Sequence, residues 1–167
     1  MKTAIVDKTP AVSSAALVSA YHLLPIARDV VRRWQSETQE AVSSSKPSGF
    51  FGGFSSSSAS SSGPALPAST MSQYHGIGLL YQMRSHDRMA LVKMVQQLST
   101  QGQVKSPAAL VLLVRLAAQL AEEDGQLRKP MTQLLDGWLR HKSEMVNFEA
   151  AKAICNMGHA AGEAEVT

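Results

Sequence analysis

Two segments of this 167-residue chain, 74 positions apart, carry the same order of residue types. Residues 71–80 read MSQYHGIGLL and residues 145–154 read MVNFEAAKAI, so a methionine, an amide, a ring, small residues and aliphatics recur at matching places. Because 74 is twice 37, one step of 37 residues from Met71 reaches Ala108, where a third apolar segment begins. An internal period of about 40 residues predicts an array of repeating units rather than one closed core.

The apolar spacing inside each unit is helical. Met131, Leu134, Leu135 and Trp138 follow the i, i+3, i+4, i+7 pattern of a helix with one buried face, and Pro130 suits its first turn. Another stripe consists of Val30, Val31, Trp34 and Ala41. We expect seven helices, at residues 11–23, 27–43, 71–83, 87–99, 107–122, 130–141 and 144–157. The fifth is apolar nearly all round, which predicts a central helix buried on most sides.

Pairs of these helices form the repeating unit. Within the units that begin near residues 11 and 71, the second helix starts 16 residues after the first. Two-helix repeats of this length are typical of HEAT and armadillo proteins, in which each unit is covered only by its neighbours. The prediction is an all-α, HEAT/armadillo-like α-solenoid of about 3.6 two-helix repeats. Composition agrees, since aromatic residues are only 5% of the chain and a β-sandwich or barrel needs more.

A serine-rich tract separates the first repeat from the second. Between residues 43 and 63, 11 of 21 residues are Ser and four are Gly, so the tract has little apolar surface to offset its chain entropy. We therefore expect a disordered low-complexity loop at residues 45–70. The island at residues 49–54, with Phe50, Phe51 and Phe54, either binds a partner or belongs to a tolerated surface insertion, and the insertion is favoured.

Both ends of the repeat array are expected to be incomplete. Residues 4–6 resemble the tail of a helix, and the partner of helix 144–157 is due near residue 161. The sequence therefore predicts a slice of a longer solenoid, cut at both ends. Without that partner, Met145, Phe148 and Ile154 should be exposed and the isolated chain should be only marginally stable.

Several classes of protein are excluded by composition. The single cysteine, Cys155, rules out an internal disulfide framework. The longest apolar run, residues 107–114, is far shorter than the roughly 20 residues of a membrane span. The net charge of +3 comes from 16 basic residues scattered among 13 acidic ones, without the basic stripe that nucleic-acid binding requires.

No catalytic, cofactor-binding or metal-binding constellation is evident, so we expect no enzyme and no cofactor. Gly76 and Gly78 stand in the middle of a helix with no strand before them, which favours close helix packing over a dinucleotide site. His75 occupies the place of Glu149 in the later repeat, so it is predicted at a surface or groove position rather than as a metal ligand. Cys155 is expected to fill the place of a small core residue rather than to act as a reactive thiol.

Two polar clusters are interpreted structurally. His141 and Lys142 are predicted at a helix end, where cations favourably meet the helix dipole. The acidic residues 122–124, followed by Gly125, are expected to close the buried helix as a solvated turn. Binding of a basic partner by this acidic run is the less favoured alternative.

Several short motifs, in order and at compatible spacing, resemble the gamma subunits of coatomer. They are Ala4–Lys8, Asp29–Trp34, Tyr74–Tyr81, Asp87–Arg88, Lys93–Met94, Lys105–Pro107 and Leu139–Ile154. The similarity covers nearly the whole chain outside the serine-rich tract. Two residues depart from the family pattern, because Ser72 and Gly76 stand where the family has Val and Ala, which should weaken that helix.

This resemblance implies a structural and adaptor role in the COPI vesicle coat. It implies that residues 1–167 are part of an adaptin-like helical trunk, acting in Golgi-to-ER and intra-Golgi protein transport. The implied partners are the zeta, beta and delta subunits of coatomer and an ARF-family GTPase. The implied location is the cytoplasm and, peripherally, the cytosolic face of Golgi membranes and coated vesicles. No individual partner-binding residue follows from the resemblance.

Two alternatives remain open. One is a generic helical-repeat scaffold, such as a clathrin-adaptor large chain or a nuclear transport receptor. The other is an enzyme whose site would be assembled from His75, His141 and acidic side chains, and it requires those residues to converge in one pocket.

Overall fold

The computed structural model describes residues 1–43, 69–100 and 103–164, with side chains described up to Met157. In this part of the chain all regular structure is helical. The helices are α1 (Lys2–Ile5), α2 (Pro10–Leu23), α3 (Arg28–Arg32), α4 (Gln35–Ser43), α5 (Ser69–Arg84), α6 (Arg88–Ser99), α7 (Pro107–Glu123), α8 (Gly125–Trp138) and α9 (Glu144–Ala164).

The helices form two layers. In one layer α2 packs on α5, α5 on α7, and α7 on α9, while α4, α6 and α8 pack against this row as a second layer. Helices α5, α7 and α9 begin at residues 69, 107 and 144, which are 38 and 37 residues apart. The predicted all-α solenoid, with a repeat of nearly 40 residues, is therefore confirmed.

Side-chain caps set where α6 and α7 begin. The carboxylate of Asp87 accepts a hydrogen bond from the backbone N–H of Ala90 (3.0 Å) at the start of α6. Ser106 Oγ accepts from the N–H of Ala109 (3.4 Å) at the start of α7. Such caps satisfy N–H groups that have no partner inside the helix, so they define the boundaries of the units.

The core is aliphatic and lies in two clusters that meet at α5. Ile77 and Leu80 belong to the larger cluster with α6–α9, whereas Leu79 and Met83 belong to a smaller cluster with α1–α3. Trp138 is the largest ring in the larger cluster. Helix α5 therefore joins the first unit of the solenoid to the rest.

The predicted single helix at residues 27–43 is wrong, because the chain forms two helices there. Arg33 and Trp34 donate their N–H groups to Val30 and Val31, three residues back, which tightens the backbone into turns. Of the predicted stripe, Val31 lies in the core, whereas Val30 is 48% exposed. Glu37, in the second piece, is held by an ion pair with Lys2 of α1 (2.9 Å).

The predicted start of a helix at Pro130 is also wrong. Helix α8 begins at Gly125, because Asp124 caps it by accepting from the N–H of Gln126 (2.9 Å), and Pro130 lies inside the helix. The acidic run is consequently not one solvated turn: Glu122 and Glu123 end α7, and only Asp124 separates the two helices.

Smaller differences concern the remaining boundaries. Helix α9 continues to Ala164, past the end predicted at residue 157, so the position near residue 161 belongs to α9 and not to a partner helix. Residues 4–5 lie in the short helix α1. Most of the predicted loop, including the island at 49–54, lies outside the described residues, and α5 begins at Ser69.

Candidate interaction surfaces

The side chain of Gln73 joins three parts of the chain in the interior of the solenoid. Its Nε2 donates to the carbonyl oxygens of Val42 (3.0 Å) and Gln103 (3.1 Å). Its Oε1 accepts from the backbone N–H groups of Lys105 (3.0 Å) and Ser106 (3.1 Å). The residue is 2% exposed. Gln73 therefore fixes the end of α4 and the chain entering α7 to α5, and sequence reasoning missed this role.

Gly76 lets α4 approach α5. A Cβ at this position would lie 2.5 Å from Cγ2 of Val42 and 3.8 Å from Cδ1 of Leu17. The predicted close packing is confirmed at Gly76 and wrong at Gly78, where a Cβ would meet no atom within 4 Å. The departure from Ala at position 76 is therefore explained by Val42, whose side chain fills the space that the methyl group of an alanine would need.

Ser72, the second departure from the family pattern, is also buried. Its hydroxyl donates to the carbonyl oxygen of Pro10 at 3.2 Å, at the start of α2. Position 72 thus contributes a polar link between the first two units, where an aliphatic residue would contribute only packing.

His75 lies on a groove between the first helices, as predicted. Its Nδ1 forms a hydrogen bond with Ser14 Oγ at 2.8 Å, and burial lowers the pKa of the imidazole below its usual value. The groove, about 330 Å³ in volume, is open above Gly78 and is also lined by Tyr21, Tyr74 and Leu112. It joins faces of α2, α5 and α7, so a side chain from a partner has room to enter there.

Ion pairs link successive units at the surface. Arg115 on α7 meets Glu149 on α9 at 2.7 Å, and this hydrogen bond lowers the pKa of the Glu149 carboxyl and raises that of Arg115. Arg88 on α6 meets Glu123 at 3.1 Å and Asp124 at 3.6 Å. Two of the three acidic residues at the end of α7 are thus paired within the chain, which leaves less of the run for a basic partner.

The first half of α9 exposes large apolar side chains. Phe148 is 68% exposed and Met145 is 57% exposed, as predicted for a helix face without a cover. Ile154 differs from the prediction, because it is partly buried against the larger cluster. Phe148 and Met145 form an apolar face at the start of α9, in the outermost of the helices described.

The residues of the enzyme hypothesis do not meet. His75 lines the groove between α2, α5 and α7, whereas His141 lines a separate cavity between α6, α7 and α8. His141 Nδ1 accepts the backbone N–H of Ser143 at 3.1 Å, just after α8 ends. Within the described residues no group of three or more His, Cys, Asp or Glu side chains is placed to hold a metal ion.

Cys155 is exposed, so its predicted core position is wrong. The reason is the helical phase of α9: Ala153 and Met157 face the core, and position 155 lies between them on the outer side. None of the helices described is both long and apolar enough to cross a membrane.

Comparison with known proteins agrees with the repeat architecture. The chain is 45% identical over 159 residues to the probable coatomer subunit gamma of Schizosaccharomyces pombe, which covers 91% of this chain and 17% of that protein. It is 44% identical over 158 residues to human coatomer subunit gamma-1, covering 94% of this chain and 15% of that protein. It is 42% identical over 162 residues to coatomer subunit gamma of Drosophila melanogaster, covering 94% of this chain and 16% of that protein.

These matches confirm the resemblance to coatomer gamma subunits that the short motifs indicate. The chain spans only about a sixth of the length of these relatives. The family described as the Adaptin N terminal region matches residues 1–165, which includes all the helices described above. With the two-layer solenoid and this match over nearly its whole length, the chain belongs to the Adaptin N terminal region family.

Proposed function

We propose that this chain is a non-enzymatic structural segment of a coatomer gamma-like coat subunit. Identity of 44–45% to coatomer gamma proteins, extending over more than nine-tenths of the chain, carries this proposal. In this account residues 1–167 are part of an adaptin-like trunk, interrupted by the serine-rich segment. The described surfaces support a binding role, since they offer an exposed apolar helix face and a groove between helices.

The proposed role is assembly of the COPI coat in Golgi-to-ER and intra-Golgi transport. The partners are other coatomer subunits (zeta, beta and delta) and an ARF-family GTPase, at the cytosolic face of Golgi membranes. Neighbouring units bury one another, which leaves their outer faces for these contacts. The groove beside His75 and the apolar face of α9 are the described surfaces best suited to protein partners.

Capture of purified coatomer subunits tests the proposal. The tagged 167-residue chain is immobilised and offered the beta, delta and zeta subunits separately, then an ARF-family GTPase loaded with GTP or GDP. The matching segment of the fission-yeast relative serves as the positive control. Retention of at least one coatomer subunit at micromolar concentration is expected.

Two results would contradict the proposed function. One is no retention of any coatomer subunit under conditions in which the yeast segment retains one. The other is equal or stronger capture of clathrin-adaptor or nuclear-transport proteins offered in parallel, which the generic-scaffold alternative predicts.

A further inference from the structure

A second cavity lies where α6 and α8 end and α7 begins, separate from the groove between α2, α5 and α7. Its volume is about 360 Å³, which is at the lower end of the range for ligand pockets and suits a single side chain better than a whole cofactor. Residues of all three helices and of the segment before α7 form its apolar wall: Leu98, Val104, Leu110, Leu134 and Trp138. Such a wall favours an aliphatic or aromatic group over water.

Two donor side chains line the same cavity, Arg140 and His141, and the residues described around it include no Asp or Glu. Among the residues that the structure describes, the guanidinium of Arg140 meets no ion-pair or hydrogen-bond partner. His141 Nδ1 accepts the N–H of Ser143, so the ring proton lies on Nε2, which is therefore a donor. An apolar wall beside a cation and a second donor complements an apolar group that carries a carboxylate next to it.

The end of α8 does not use these two side chains as caps. The carbonyl oxygens of Leu135, Gly137 and Trp138 accept the backbone N–H groups of residues 139, 140 and 141. Around the cavity, the ends of α6 and α8 and the start of α7 carry partial charges of about half an elementary charge each, of opposite sign, which partly cancel. The full positive charge of Arg140 therefore decides the sign of the site.

We propose that this cavity binds a short segment of a partner protein in which a Leu or Phe side chain stands within two residues of an Asp or Glu. The apolar side chain packs against Leu134 and Trp138, and the carboxylate accepts hydrogen bonds from Arg140 and from His141 Nε2. An anchor side chain in a pocket, beside a charge-assisted hydrogen bond, is typical of the few contacts that dominate binding energy. This inference rests on the cavity and not on the proposed coat function, so the failure of one leaves the other standing.

A series of short labelled peptides is the probe. Each carries Leu or Phe in a Gly/Ser background, with Asp or Glu one or two residues before or after it, and its binding to the 167-residue chain is followed by fluorescence anisotropy. At least one peptide is expected to bind with a Kd below about 1 mM, and its analogue with Asn or Gln in place of the acid should bind about fivefold or more weakly. Binding of no peptide in the series, or equal binding of the acidic and amide forms, would overturn the proposal.

Substitutions on α8 locate the bound peptide. Arg140→Gln should weaken its binding about fivefold or more, whereas Lys129→Gln, which removes an exposed cation from the same helix, should not.

Gly137 lines the cavity, and a Cβ there would meet no atom within 4 Å, so a leucine side chain fits at its mouth without a clash. Gly137→Leu should therefore abolish peptide binding and leave the melting temperature unchanged or higher, because leucine has the better helix propensity. Gly125→Leu is the matched control at the other end of α8, where a Cβ also meets no atom within 4 Å, and should leave the affinity unchanged. Full affinity of either Gly137→Leu or Arg140→Gln would place the peptide elsewhere and contradict the proposal.

Discussion

Replacing Gln73 by Leu is expected to lower the free energy of unfolding by about 2–4 kcal/mol, since buried backbone groups that lose their partners cost about 1–3 kcal/mol each. The leucine side chain is similar in size to glutamine but forms no hydrogen bonds. The N–H groups of Lys105 and Ser106, and the carbonyl oxygens of Val42 and Gln103, therefore lose their side-chain partner. Small local movements that let some of these backbone groups bind water should recover part of this cost. Urea denaturation followed by circular dichroism measures the change.

The control for Gln73 is Gln97→Leu on α6, an exposed glutamine on a helix surface. Its effect should stay within about 0.5 kcal/mol, as for most surface substitutions. Equal stability of Gln73→Leu and Gln97→Leu would show that the link between α4, α5 and the entry to α7 contributes nothing, and would contradict the account of the solenoid junction.

Gly76→Ala is the second substitution with a large expected effect. The added Cβ would lie 2.5 Å from Val42 Cγ2, and a valine in a helix has little rotamer freedom with which to move away. We expect a loss of about 1–3 kcal/mol, the usual cost of overpacking, despite the better helix propensity of Ala. The same urea titration measures it.

Gly78→Ala is the matched control, because nothing lies within 4 Å of its Cβ position. It should stabilise the chain by up to about 1 kcal/mol through helix propensity alone. In a Val42→Ala background, which makes room for a methyl group, Gly76→Ala should lose most of its cost. An unchanged cost in that background would show that the contact with Val42 is not the cause.

The sequence repeat predicted the helices of the layer that contains α5, α7 and α9, because corresponding residues of successive units are buried. Ser72 and Val146 are both buried, as are Met83 and Met157, and each pair is 74 residues apart. Such recurrence reflects packing of one unit against its neighbours, which is the dominant energy in a solenoid. The helical class and the uncovered apolar residues at the start of α9 could therefore be predicted from the order of residue types alone.

The errors arose where a local contact overrode the periodic pattern. Val30, Val31, Trp34 and Ala41 lie at helical spacing within residues 27–43, but turns at Arg33 and Trp34 divide this segment into two helices. At α8 the cap by Asp124 moved the start five residues ahead of Pro130, whose position is tolerated inside the helix. The spacing of apolar residues does not detect either feature, because each depends on local hydrogen bonds: two between backbone groups at Arg33 and Trp34, and one to the side chain of Asp124.

The role of Gln73 could have been found from the repeat itself. An amide recurs at the same place in residues 71–80 and 145–154, as Gln73 and Asn147. What the sequence could not supply was the identity of the partners, because residues 42 and 103–106 lie about 30 positions away on either side. Contacts of that range depend on how the units stack.

Amide hydrogen exchange measured along the 167-residue chain tests most directly whether successive helical units pack on one another in a solenoid. Helix α7 contacts α5, α6, α8 and α9, whereas α9 packs mainly on α7 and α8. Protection should therefore be greatest in α5 and α7 and lower in α2 and α9. A helix that is packed on both sides requires more free energy to open locally than a helix that is packed mainly on one side. Exchange in α7 as fast as in α9, or protection confined to α2–α4, would contradict the solenoid described.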